Sequence, residues 1–150
     1  MKIADEQLSL AFGSVFLRLS RLLDKRMARA GASLARTKVL MLIAREGTVK
    51  AADIAELFGL APRTVTDTLD GMERQGLVSR APDKKDRRVK RITLTDAGSK
   101  ALAAAEPIRA ELIAQVMGTL SDEERTTFAQ VLEKLEQALA SVEEAEGVGA

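Results

Sequence analysis

Apolar residues recur at helical spacing along most of the chain, and one short region breaks the pattern. Leu8, Phe12, Val15, Phe16, Leu19, Leu22, Leu23 and Met27 share one helical face and predict a long amphipathic first helix ending near Gly31. Ser33 stands where an N-cap belongs, ahead of a second helix carrying Val39, Leu40, Leu42 and Ile43 and stopping before Gly47. A short third helix runs from about Lys50 to Phe58, with Ile54, Ala55 and Phe58 inward and Gly59 placed to end it in the left-handed region. Pro62 opens the next helix, at a position where its missing N–H costs nothing, and Val65, Leu69 and Met72 form its buried stripe up to Gly76.

The period then changes. Leu77-Val-Ser-Arg starts a strand, and in Val89-Lys-Arg-Ile-Thr-Leu-Thr the apolar Ile92 and Leu94 alternate with polar neighbours. Two strands joined by a charged loop make a hairpin. From Thr95 or Asp96 the helical period returns with Leu102, Ile108, Leu112, Ile113, Val116 and Met117, and Pro107 within it predicts a kink or a break. Ser121-Asp-Glu-Glu fits a capping box opening a last helix whose face carries Phe128, Val131, Leu132, Leu135, Leu139 and Val142. The tail Glu146-Gly-Val-Gly-Ala is expected to fray.

Composition narrows the function classes. The 150 residues contain neither Cys nor His. That removes disulfides, thiol chemistry and imidazole acid–base catalysis, and with them most zinc and iron sites. No Gly-rich phosphate loop or nucleophile elbow is present, so no catalytic residue is assigned and no metal or cofactor is expected. No apolar run reaches the ~18 residues needed to span a bilayer, and the first residues, Met-Lys-Ile-Ala-Asp-Glu-Gln, lack a signal-peptide core. A cytoplasmic, non-membrane protein is the expectation.

Charge supplies the positive signal. Arg80 to Arg91 holds seven Lys or Arg and two Asp, a local +5 in a chain of net +1. Alone, such a run reads as a solvated loop. Here it follows helix, short turn and helix, the order of a winged helix-turn-helix. The expected fold is therefore mainly α with a small β-hairpin. The outer face of the helix from Pro62 to Gln75 offers Arg63, Thr64, Thr66, Asp67 and Thr68 to base edges and phosphates. A mobile hairpin loop with Lys84, Lys85, Arg87, Arg88 and Lys90 can follow the phosphate backbone, and an arginine at its tip can enter a narrow minor groove. Asp83 and Asp86 are expected to pair with neighbouring arginines and shape the loop. Val65, Leu69 and Met72 read as core, as does the Phe12 and Phe16 pair.

The run from Ser79 to Gly98, SRAPDKKDRRVKRITLTDAG, resembles the wing of the MarR transcriptional regulators, whose motif Asp-x-Arg-Asp-x-Arg is followed by Leu-Thr and Gly. Asp83, Asp86, Arg88, Leu94, Thr95 and Gly98 match, and Lys85 replaces the middle arginine. Thr64 to Arg80, TVTDTLDGMERQGLVSR, resembles the recognition helix and its exit into the wing. The resemblance implies a homodimer in which N- and C-terminal helices, residues 1–32 and 96–150, intertwine around a DNA-binding region at 33–95. Leu8, Phe12, Leu132, Leu135 and Leu139 would then lie at the dimer contact. It also implies that Arg87 or Arg88 reaches the minor groove, and it suggests a phenolic or aromatic acid as effector. The expected function is a ligand-responsive repressor of a pseudo-palindromic double-stranded operator, with activation as the alternative to repression. Without Cys the oxidant-sensing branch of the family is excluded.

Two features of the chain itself bear on this. Residues 121–150 contain eight acids and two bases, which keeps that end away from DNA while its apolar stripe asks for a partner. Several members carry arginine where this chain has Asp67; an aspartate there would repel phosphate, and could accept from a cytosine amine or hold Arg63 in place. The competing reading is a dimeric winged-helix scaffold that binds protein. An enzyme has no supporting constellation.

Overall fold

The structure, a computed structural model, describes residues 3–147. The elements follow in the order α1 (Asp5–Arg29), α2 (Leu34–Glu46), α3 (Ala51–Phe58), α4 (Pro62–Arg74), β1 (Val78–Pro82), β2 (Lys90–Leu94), α5 (Asp96–Met117) and α6 (Asp122–Glu146). Contacts divide the chain into two compact units, Met1–Ala110 and Glu111–Ala150, with α5 running through the division.

Local signals set the boundaries of the first unit. Ser33 caps α2, its hydroxyl accepting from the Arg36 amide at 3.4 Å, and Gly59 ends α3 with φ 61°, a conformation that costs glycine little. Pro62 occupies the first turn of α4. The core joins Val39, Leu40, Leu42 and Ile43 of α2, Ile54 of α3, Val65, Leu69 and Met72 of α4, and Val78 and Ile92 of the two strands. β1 and β2 pair antiparallel, Val78 opposite Leu94 and Pro82 opposite Lys90. Val49, between α2 and α3, adds a bridge to the same sheet by exchanging both backbone hydrogen bonds with Ile92 at 3.1 and 2.8 Å. Sequence periodicity could not show this bridge, because a single bridging residue carries no alternation.

The start of α5 explains why Leu94, Thr95 and Gly98 occur together. The Thr95 amide donates to the Leu77 carbonyl at 3.2 Å and its hydroxyl donates to the Gly76 carbonyl. The same hydroxyl oxygen accepts from the Gly98 amide at 3.0 Å, a cap on the new helix. Gly98 packs against the Leu77 backbone so closely that a Cβ would collide with the carbonyl oxygen. Glycine is thus required by close approach. α5 passes Pro107 without a break. The proline forfeits one amide donor, and the bonds of neighbouring turns carry the helix past it.

In the second unit, α6 opens on the expected capping box. Ser121 Oγ accepts from the Glu124 amide at 3.2 Å, and Glu124 Oε2 accepts from the Ser121 amide at 2.8 Å. The expected fraying of the tail concerns mainly Val148 to Ala150, which lie outside the described residues; α6 itself continues to Glu146.

One core expectation is corrected. Phe12 and Phe16 are 50% and 57% exposed. α1 buries only Leu23 and Met27, near its C-terminal end, and a face at helical spacing is buried only where another element packs on it. α6 buries no residue at all.

Candidate nucleic-acid interface

α4 divides its surface into three strips. Val65, Leu69 and Met72 face the core. Opposite them, at spacings of four, three and four, lie Arg63, Asp67, Asp70 and Arg74. Arg63, Thr66 and Asp67 are exposed, and Thr66 sits on the flank of this outer strip. The Thr66 hydroxyl donates to the Pro62 carbonyl at 3.0 Å, which leaves its oxygen free only to accept and its methyl free for contact. Arg63 and Asp67 form no ion pair, so the option that the carboxylate holds the arginine is not realised.

Thr64 and Thr68 occupy a third strip. Both line a cavity of ≈ 490 Å³ with α1, α2 and α3; Thr64 is exposed, while Thr68 is half-buried instead of standing on the outer face. The reason is the helical period: positions 64 and 68 lie one turn apart and about a quarter turn from the groove-facing line. Sequence reading grouped all three threonines by residue type and missed this division.

The hairpin is more tightly built than a mobile loop. The Asp83 amide donates to the Val89 carbonyl at 2.8 Å, and the Val89 amide to the Asp86 carbonyl at 3.0 Å. Asp83 Oδ1 accepts from Arg91 Nε at 2.9 Å, and Oδ2 from the Asp86 amide at 3.2 Å. The Arg91 hydrogen bond, followed by that from Asp86, holds the Asp83 carboxyl below its ordinary range. Asp86 Oδ1 accepts from both the amide and the Nε of Arg88, at 3.1 and 3.2 Å. Arg88 remains 92% exposed, so the aspartate aims the guanidinium without covering it.

The seven cations of the run therefore have different tasks. Lys84, Lys85, Arg87 and Lys90 are exposed and enter no ion pair. Arg91 closes the loop onto Asp83. Arg80 is mostly covered and reaches back to α4, with Nη2 2.6 Å from Asp70 Oδ1 and Nε 3.6 Å from Glu73 Oε2. It ties the base of the wing to the helix beside it. The signal for Arg80 was present in the alternation of β1, which puts it on the same face as buried Val78. A cation on an inner strand face needs a carboxylate partner.

These parts define a winged helix-turn-helix protein, with an outward helix and a cationic hairpin held on one core. The MarR family signature matches residues 33–90. The transcriptional repressor MdtR of Bacillus subtilis (strain 168) is 30% identical over 141 residues, covering 92% of this chain and 91% of that protein. Among solved structures, YusO of Bacillus subtilis is 30% identical with a TM-score of 0.62, over 91% of this chain and 99% of that one. A mutant of MarR from E. coli complexed with operator DNA shares the fold, with a TM-score of 0.76 at 22% identity over 85% and 92% of the two chains. The chain belongs to the MarR family of winged helix-turn-helix transcriptional regulators.

Among the described residues no helix is long and apolar enough to cross a membrane, and no group of three or more acidic, Cys or His side chains could hold a metal ion.

Proposed function

We propose that this protein is a sequence-specific, double-stranded DNA-binding transcriptional regulator that works in the cytoplasm as a homodimeric, ligand-responsive repressor and not as an enzyme. The observation that carries the reading is the Arg80–Asp70 tie, which presents α4 and the unpaired wing cations as one surface. Arg63, Thr66 and Asp67 would meet base edges in the major groove, and Thr64 the flanking backbone. Lys84, Lys85, Arg87 and Lys90 would neutralise phosphates, and Arg87 or Arg88 would enter the minor groove. Residues 33–95 form the reading region, and 1–32 with 96–150 the pairing region.

The homodimer reading rests on uncovered apolar faces. Leu8, Phe12, Leu135 and Leu139 are 60%, 50%, 48% and 61% exposed, and Leu132 is half-buried. Two copies would place their reading helices in successive major grooves, at half-sites ~34–36 Å apart. Repression is supported by the name of the relative MdtR.

The effector would enter the cavity behind α4. Its walls are mostly apolar, from Leu17, Val39, Phe58 and Leu69, and its charged lining is Arg21, Lys38 and Asp24, so the two cations outnumber the one carboxylate for an incoming acid group. A flat aromatic or phenolic acid fits that chemistry. Because Thr64 and Thr68 belong to the reading helix, a ligand there would shift the helix only as far as it binds one arrangement better than the other.

The test is duplex affinity measured against salt. A regulator of this design loses affinity steeply as salt rises. Replacing Arg87 and Arg88 by Ala should lower the salt slope by roughly two and leave the helical protein folded. Thr66→Val should change sequence preference more than salt dependence. A flat salt response without sequence preference would support the scaffold reading instead.

A further inference from the structure

We infer that Asp67 is a specificity-determining residue that requires a cytosine at one fixed position of each operator half-site. This rests on the DNA-binding reading above and adds a base to it. Asp67 lies on the side of α4 opposite the buried Val65, Leu69 and Met72, at the centre of the outward strip. It is exposed and joined to no cation, although Arg63 stands one turn away. The neighbouring carboxylate on the same strip, Asp70, is instead taken up by Arg80 at 2.6 Å. Asp67 is therefore the acceptor that this strip leaves open.

A bare carboxylate at the middle of a groove-reading helix is repelled by phosphate and loses water on docking. A donor on a base edge compensates it directly. In the major groove the donors are the N4 amine of cytosine and the N6 amine of adenine. Adenine places the N7 acceptor beside its amine, which repels a carboxylate. Guanine and thymine present acceptors there, O6 with N7 and O4. Cytosine is the base whose own edge offers a donor without an adjacent acceptor. Thr66 acts in the same sense: its hydroxyl proton is committed to Pro62, so the flank of Asp67 adds an acceptor and a methyl group, not a donor.

The experiment selects duplexes from a randomised pool with the full-length protein, and repeats the selection with Asp67→Asn and Asp67→Ala. The Asp67 side chain is exposed and enters no ion pair, so both variants should keep the wild-type circular dichroism and dimer mass. Wild type should enrich cytosine at one position per half-site. Asp67→Asn should move that preference to adenine, whose N6 and N7 suit a carboxamide, and Asp67→Ala should lose preference at that position only. Replacing the cytosine should lower wild-type affinity about tenfold and leave Asp67→Ala nearly unchanged. Identical enriched sites for all three proteins would overturn the assignment while leaving the DNA-binding reading intact. Enrichment of no sequence by any of them would overturn both.

Discussion

Replacing Gly98 by alanine tests how the wing is anchored. A Cβ at position 98 would collide with the Leu77 carbonyl oxygen, lying 3.0 Å from the carbonyl carbon and 3.3 Å from Leu94 Cδ2. The obstacle is backbone, which cannot rotate away as a side-chain tip could. Overpacking of this kind costs about 1–3 kcal/mol. The Leu77 carbonyl also accepts from the Thr95 amide at 3.2 Å, and displacing it weakens that bond, at about 1 kcal/mol. Against this, Gly→Ala in a helix returns up to about 1 kcal/mol. The balance is a loss of about 1–3 kcal/mol per subunit, the sum of those three terms. With a urea slope of about 2 kcal/mol/M, the midpoint should fall by about 0.5–1.5 M. Wild type and Gly98→Ala are to be compared at one protein concentration, since dimer stability depends on it. A variant with an unchanged or higher midpoint would refute the argument that glycine is required here by close approach.

Arg80→Met should keep the helical fold and weaken specific DNA binding more than nonspecific binding, because it releases the wing from Asp70 and Glu73; fluorescence anisotropy with matched and scrambled duplexes measures the difference. Acid should undo the Asp83–Arg91 closure. The folded carboxyl lies below its ordinary value of 3.8, so the pair's contribution is complete above the unfolded-state pKa and disappears as pH falls through the lower folded one. The stability difference between wild type and Asp83→Asn should accordingly shrink as pH is lowered from neutral through the ordinary carboxylate value of 3.8, and a constant difference would contradict it. Phe12→Asp combined with Leu135→Asp should convert a dimer to monomer in sedimentation equilibrium; an unchanged mass would place the contact elsewhere.

The chain's one-dimensional pattern determined the element order, most element ends and the existence of a charged hairpin. Ser33, Gly59, Pro62 and the Ser121–Glu124 box act on backbone groups within a few residues of themselves, so the sequence shows their effect without knowledge of the fold. The wing motif was equally legible because Asp83, Asp86 and Arg88 lie within six residues of one another; that Arg91 is the partner of Asp83 came from the structure.

Tertiary structure alone decided which of several similar side chains does what. Three threonines on α4 looked equivalent until packing half-buried Thr68 against a cavity, set the exposed Thr64 in the lining of the same cavity and left Thr66 outside it. Seven cations looked like one patch until β1 pointed Arg80 at Asp70, ten residues away. Phe12 and Phe16 had the spacing of a core pair, but burial depends on what lies opposite, and both rings stand at least half exposed. Periodicity records which face a residue occupies; only the assembled elements determine what that face meets.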